Sequence, residues 1–256
     1  MARSGGFTFR SVLAVSGILF GLAAGSAMAT TVTTSSLSLP NGNTTVNIVD
    51  TLQSVDSGGS NIVAGTIGLQ TNIGALNTYC VDLFDYISTG NPSVNTFNQN
   101  VLTAGSTFRN GTATGSFTQA QVNTITALLV NGGMQTQNTV NTAALQIAIW
   151  ATEYDTVTTN GTYNITNADS FYFTHTGDSN SAAAITQAQA FLNNVTSGTW
   201  TTDNNHYVEY LTSTTGSVQN LVYLATGSVA TPEPSAVAVF GLGLIGLWAA
   251  RRRKLI

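Results

Sequence analysis

Asn141-Thr142-Ala143-Ala144-Leu145-Gln146-Ile147-Ala148-Ile149-Trp150-Ala151-Thr152-Glu153-Tyr154 is the stretch on which the fold turns. Ala143, Ala144, Leu145, Ile147, Ala148, Ile149, Trp150 and Ala151 leave a helix here almost no polar face. A helix that is apolar all round is buried, so the chain must supply packing layers on its several sides. Gln146 sits in the middle of it. Burying an amide costs roughly 1–3 kcal/mol unless it is hydrogen-bonded, so Gln146 needs a partner or a reaction.

Working outward, a helix is expected before this one and another after it. Ser116-Phe117-Thr118-Gln119 fits a capping box, with the helix running to about Val130 and stopping at Asn131-Gly132-Gly133. A third helix is expected from Ser181 to about Ser197, with Ile185, Ala188, Phe191, Leu192 and Val195 at helical spacing and Gly198 just past its end. Upstream, Thr, Val and Ile recur in runs that read as strands: Thr31 to Leu39, Thr45 to Gln53, Asn61 to Gln70 and Leu76 to Ile87. Asn41-Gly42 and Ser57-Gly58-Gly59 supply turns between them. Strands return at His206 to Thr212 and Asn220 to Ala225. Strands, then helices, then strands give an α+β fold, a β-sandwich or barrel with a helical insertion.

The two ends carry targeting chemistry. Arg3 and Arg10 precede an apolar run from Val12 to Ala24, and Ala27-Met28-Ala29 offers small residues at a cleavage site. That order defines a secretory signal peptide. At the other end Pro232-Glu233-Pro234 precedes an apolar stretch, Ala236 to Ala250, and then Arg251, Arg252, Arg253 and Lys254. A basic cluster beyond an apolar span holds that side in the cytoplasm. The span is short beside the ~20 residues that cross a bilayer unaided, which suits a temporary anchor. The boundaries that follow are a signal peptide over 1–29, an extracellular domain over 30–228, and a sorting signal with a short transmembrane helix and basic tail over 229–256.

The Pro-Glu-Pro motif, apolar stretch and Arg cluster, in that order, resemble the PEP-CTERM sorting signal of Gram-negative bacteria. The resemblance implies recognition by an exosortase, cutting near Pro232-Glu233-Pro234, transient anchoring in the inner membrane through 236–250, and surface or exopolysaccharide association. A plain C-terminal anchor is the alternative; both face the domain outward.

Composition agrees with that setting. Between Thr30 and Thr231, Arg109 is the only basic residue, and it stands against ten acids, for a net charge near −9 where the whole chain has −4. No lysine occurs in this part. Phosphate neutralisation needs clustered Lys and Arg, so nucleic-acid binding is excluded. Some 200 residues bury a real core. The single cysteine, Cys80, excludes an internal disulfide and stands out in an oxidising compartment.

Cys80 lies in Asn77-Thr78-Tyr79-Cys80-Val81-Asp82-Leu83. Strand alternation puts Cys80, Asp82 and Phe84 on one face and Tyr79, Val81 and Leu83 on the other. Tyr79-Cys80-Val81-Asp82, followed at a distance by Gln146-Ile147-Ala148-Ile149-Trp150, resembles the bacterial thioester (TQXA) domain. In that family a strand cysteine and a helix glutamine join as an internal thioester. The chain departs from the family pattern in carrying Leu145 where Thr usually precedes the glutamine. The resemblance implies that the Cys80 thiolate attacks the Gln146 side-chain carbonyl with loss of ammonia, and that an amine or hydroxyl of a partner then takes the acyl group. Tyr79, Leu83, Ile149 and Trp150 are candidates for keeping water away. A chain without lysine holds no ε-amine of its own to capture the acyl group.

Glu153, seven residues after Gln146, shares its helix face. It reads either as a proton acceptor for an incoming nucleophile or as a solvated helix-end residue. Asp82 reads as a polar lid or a hydrogen-bonding strut. A Cys–His hydrolase is the enzymatic rival, with His175 or His206 as base, but both lie in polar segments and no helix N-terminus follows Cys80. No metal-ligand or calcium-loop spacing occurs, and no cofactor or enzymatic activity is expected. The leading expectation is an exported surface or matrix protein with a Cys80–Gln146 thioester. The alternative is a non-covalent structural protein in which both are core residues.

Overall fold

The computed structural model describes residues 30–50, 59, 61–83, 85, 87, 94–110, 113–155, 161–166, 171–216 and 218–227. The expected signal peptide, the sorting tail with Pro232, Glu233 and Pro234, and Phe84 lie outside them. Six strands close into a barrel in the order β1 (Thr30–Ser38), β4 (Ile67–Thr71), β5 (Gly74–Cys80), β11 (Leu221–Thr226), β10 (His206–Ser213) and β6 (Thr96–Val101), every pairing antiparallel. Closure leaves the barrel without an edge strand. Beside the barrel stand a three-stranded sheet, with β2 (Thr44–Asp50) between β3 (Ile62–Ala64) and β9 (Phe171–His175), and a hairpin of β7 (Thr107–Asn110) and β8 (Ala113–Ser116).

Three helices occupy the insertion: α1 (Gln119–Gly132), α2 (Thr139–Tyr154) and α3 (Ser181–Thr196). The capping box of α1 is built by Thr118 and Gln121, two residues later than the sequence reading placed it, because Ser116 is consumed as the last residue of β8. Asn138 caps α2, its side chain accepting from the Asn141 N–H at 2.9 Å. Between β1 and β2 the chain turns through Gly42 at φ +76°, where a Cβ would lie 2.6 Å from Thr139 Oγ1. The Thr139 hydroxyl in turn donates to the Asn41 carbonyl at 3.3 Å, which ties the start of α2 to this turn.

α2 is the centre of the core, as its composition requires. Twelve consecutive residues from Thr142 to Glu153 are buried, and α2 packs on α1, α3, β5 and the three-stranded sheet. The expected barrel with a helical insertion is therefore present. Four strands escaped the reading: β6, β7, β8 and β9. The expected strand over 61–70 is broken at Gly65-Thr66, and that over 76–87 ends at Cys80. Among the described residues no helix is long and apolar enough to cross a membrane.

Candidate functional site

Cys80 is the last residue of β5, and the ladder around it is lopsided. On one side it pairs with Leu221 of β11, and the next N–H, that of Val81, donates to the Asn220 carbonyl at 3.1 Å. On the other side β4 begins only at Ile67, opposite Thr78, so the strand stops two residues short of Cys80. Backbone groups alternate in direction along a strand, so the N–H and C=O of Cys80 point into that gap. Buried and unmet, each would cost about 1–3 kcal/mol.

Gln146 fills the gap. The Cys80 N–H donates to Gln146 Oε1 at 2.8 Å, and Gln146 Nε2 donates to the Cys80 carbonyl at 2.8 Å. The side-chain amide thus takes the place of a strand residue, with Gln146 only 1% exposed and Cys80 5%. Ordinary bond and hydrogen-bond lengths put the Gln146 Cδ carbon about 4 Å from the Cys80 backbone nitrogen and oxygen. The thiol is two bonds from the Cα that these contacts bracket. The two residues singled out in the sequence are therefore brought together.

Tyr79, Leu83, Ile149 and Trp150 all belong to the buried cluster that contains Cys80. Tyr79 also accepts a hydrogen bond from the Thr66 hydroxyl at 2.9 Å, across the gap that β4 leaves. The indole N–H of Trp150 is buried without a partner among the described residues.

The carboxyl groups overturn one reading. Glu153 is not a solvated helix end: it is 4% exposed, and neither carboxyl oxygen has a hydrogen-bond partner among the described residues. α2 runs deep into the core to its last turn, so there is no solvated face for Glu153 to occupy. Burial first, and the neighbouring Asp82 carboxylate second, push its carboxyl well above the ordinary range. Asp82 is 1% exposed and lies beyond the end of β5, so strand alternation does not place it; its buried backbone carbonyl accepts from Gln219 Nε2. A buried position excludes the lid. The Cys80 thiol is pushed well up by burial, and further by Asp82 and Glu153, so it is neutral at pH 7.

Sequence reasoning missed Tyr154. Its hydroxyl accepts from the Leu83 N–H at 3.2 Å and donates to the Arg109 carbonyl at 2.8 Å. Eight residues of helix after Gln146 span about 12 Å, and three residues of extended chain after Cys80 span about 10 Å. That match in length was the available signal.

The histidines stand apart from Cys80. His206 pairs with Thr226, five residues along β11 from Leu221, which is about 17 Å of strand. Its Nδ1 lies 2.8 Å from Asp203 Oδ2. His175 belongs to the three-stranded sheet and is exposed. No group of three or more potential metal ligands occurs among the described residues.

Residues 230–254 match the PEP-CTERM protein-sorting motif, which implies recognition by an exosortase and an exported chain. No curated protein matches the chain. Among solved structures it is similar to the N-terminal domain of the Streptococcus pyogenes pilus tip adhesin Cpa, at 15% identity and a TM-score of 0.42, over 74% of this chain and 100% of that one. It is similar to the N-terminal thioester domain of the fibronectin-binding protein SfbI from Streptococcus pyogenes, at 12% identity and 0.44, over 74% and 96%. A third likeness is to the N-terminal thioester domain of a surface protein from Clostridium perfringens, at 12% and 0.40, over 78% and 100%. Likenesses of this degree leave the chemistry to be decided by the site's own geometry.

Proposed function

We propose that this chain is a surface or matrix protein of a Gram-negative bacterium that closes Cys80 and Gln146 into an internal thioester and spends that bond on covalent attachment to a partner. One observation carries the reading: a buried side-chain amide docked on both backbone groups of the chain's single cysteine, each contact 2.8 Å. Attack of Sγ on Cδ forms the S–C bond, moves the carbonyl electrons onto Oε1 and expels Nε2 as ammonia. The Cys80 N–H already faces Oε1, where that negative charge develops, so the donor is in place before the reaction begins. A partner amine or hydroxyl later attacks Cδ and releases Cys80 as a thiol. The site does not turn over and so is not an enzyme's. The segment 236–250 holds the chain transiently in the inner membrane until an exosortase cuts near Pro232-Glu233-Pro234, leaving the domain among surface amines, hydroxyls or exopolysaccharide.

Intact mass tests this. The purified chain is expected to be lighter than its sequence by one ammonia, to take up methylamine at Gln146 and to free one thiol in doing so. Cys80→Ala is expected to abolish both the deficit and the uptake.

The same hydrogen bonds favour a second reading. An amide that completes a strand edge is a finished structural part, and a non-covalent matrix protein needs nothing more of it. Full sequence mass, a titratable thiol and no reaction with methylamine select that reading.

A further inference from the structure

Closure of the thioester has a chemical requirement that Cys80 and Gln146 do not meet by themselves. Closure removes a proton from a thiol that burial keeps neutral, and it must deliver a proton to the departing nitrogen. The geometry supplies a group for this. Segment 80–83 runs beside α2 and is clamped to it at both ends, by the Gln146 amide at Cys80 and by the Tyr154 hydroxyl at Leu83. Asp82 and Glu153 lie between the clamps on the two facing segments, 1% and 4% exposed. Glu153 follows Gln146 by seven residues and so faces the same way. The Tyr154 hydroxyl lies beside this carboxyl but gives its proton to the Arg109 carbonyl, so neither Glu153 oxygen is met among the described residues, and nor is the Trp150 indole N–H one turn earlier on the helix. A carboxyl group held this way is expensive as structure alone.

We propose, resting on the thioester reading, that Glu153 is the proton carrier for closure of the Cys80–Gln146 bond, with Asp82 as the neighbour that tunes it. As Sγ bonds to Cδ, the thiol proton passes to the Glu153 carboxylate. As the Cδ–Nε2 bond breaks, the same proton passes from Glu153 to Nε2, which leaves as ammonia. No charge is created overall, which suits a dry site. The raised proton affinity of Glu153 makes it a stronger base than an exposed carboxylate when ionised, and the amine-like nitrogen of the tetrahedral adduct is basic enough to take the proton from a carboxylic acid. The other groups facing it are Cys80 on its own strand end, Tyr154 beside it on α2 and Tyr210 on β10. Burial raises all three, so none of them titrates in the acid-to-neutral range.

Ammonia provides the test, because it reverses closure: it adds at Cδ and restores both the Gln146 amide and the Cys80 thiol. After opening the full-length protein with ammonia and removing it, reclosure is followed by intact mass and thiol titration across pH. The wild type is expected to reclose faster as pH rises through the ionisation of Glu153 and then level off. Glu153→Gln is expected to reclose at least about 100-fold more slowly and to lose that pH dependence, and Glu153→Asp to recover part of the rate. Reclosure of Glu153→Gln at the wild-type rate, with the wild type showing its ammonia deficit, overturns the proton carrier and leaves the thioester standing. A wild type with no deficit overturns both. Should Glu153→Gln fail to fold, the wild-type profile decides: a rate independent of pH below the titration of the thiol overturns the proposal.

Discussion

The middle turn and the last turn of α2 each bury a polar side chain, and they meet its cost in opposite ways. Both polar atoms of the Gln146 amide are met, Oε1 by a donor and Nε2 by an acceptor, both on Cys80. Glu153, two turns on and nearly as deep, has neither oxygen met among the described residues. The difference is chemical. An amide carries a donor and an acceptor side by side and so copies a strand edge, whereas a carboxylate carries acceptors alone and faces another carboxyl, that of Asp82. At the first position two hydrogen bonds offset the cost of burial. The second is disfavoured when ionised and so holds its proton to a higher pH than an exposed carboxyl, which suits a group that takes and returns a proton in a neighbouring reaction.

The largest expected effect removes the satisfied member. Gln146→Leu keeps the volume of the helix face and strands the N–H and C=O of Cys80 in the core. Measured against the ammonia-opened protein, the cost is expected to be roughly 2–5 kcal/mol, read from urea unfolding. Against the ammonia-opened protein, in which the Gln146 amide is intact, Cys80→Ala leaves both backbone hydrogen bonds in place and removes only a thiol, so its cost is expected to be smaller. Equal costs for the two would break the comparison, because the amide would then contribute nothing as a strand substitute.

Glu153→Gln sharpens the comparison through pH. The carboxyl's folded value is raised above its unfolded one. The native state therefore holds this proton where the unfolded chain has lost it, and stability falls as pH rises from the unfolded value towards the folded one. Its contribution is fully present only below the unfolded pKa, near 4.3 in model peptides. The glutamine variant has no such loss. Any cost of burying its amide is the same at every pH, so the stability difference between variant and wild type is expected to move in favour of the variant from about pH 4 to pH 7. A difference that stays flat over that range would mean that Glu153 keeps an ordinary carboxyl, and the contrast with Gln146 would disappear.

These two residues also show how far the sequence could be read. Gln146 was legible because a single amide in a run of eight apolar positions has few structural explanations. The helix bearing it was expected over 141–154 and spans Thr139–Tyr154. Glu153 sits near the end of that run beside Thr152 and Tyr154, where a polar residue looks like an ordinary exit to solvent. Only the packing of α1, α3 and the small sheet around α2 shows that the exit is covered. Strands β6 to β9 were missed for a related reason. Thr96-Phe97-Asn98-Gln99-Asn100-Val101 alternates weakly, and its partners are β1 and β10, far away in sequence. Gly115 in β8 accommodates the Phe108 ring, with 2.6 Å between the ring and the position of a Cβ, so what looks like a turn residue is a packing site. Local pattern carries elements that are apolar in themselves; elements defined by a distant partner leave little trace.

The smallest effect lies where the last turn of α2 is held from outside. The carbonyls at a helix C-terminus have no partners within the helix. Those of Thr152 and Glu153 receive hydrogen bonds from Gln121 Nε2 at 3.0 and 3.1 Å. The same side chain closes the α1 capping box, its Oε1 accepting from the Thr118 N–H at 2.8 Å. Gln121 therefore works at the start of one helix and the end of another, and Gln121→Ala is expected to cost about 1–2 kcal/mol, as the loss of a cap and two partly buried hydrogen bonds. It is expected to leave the final ammonia deficit unchanged, since both contacts between Gln146 and Cys80 stay in place. Gln121→Glu separates the two jobs. A glutamate serves the capping box as well as glutamine does, but it offers the last-turn carbonyls no donor and places negative charge at the negative end of α2. If α1 does hold the last turn, the glutamate variant is at least as unstable as the alanine one at pH 7 and recovers as the new carboxyl is protonated in acid. Wild-type stability for Gln121→Glu at pH 7 would show that the capping box accounts for all of Gln121's contribution. The burial of Glu153 would then depend on the packing around α2 alone.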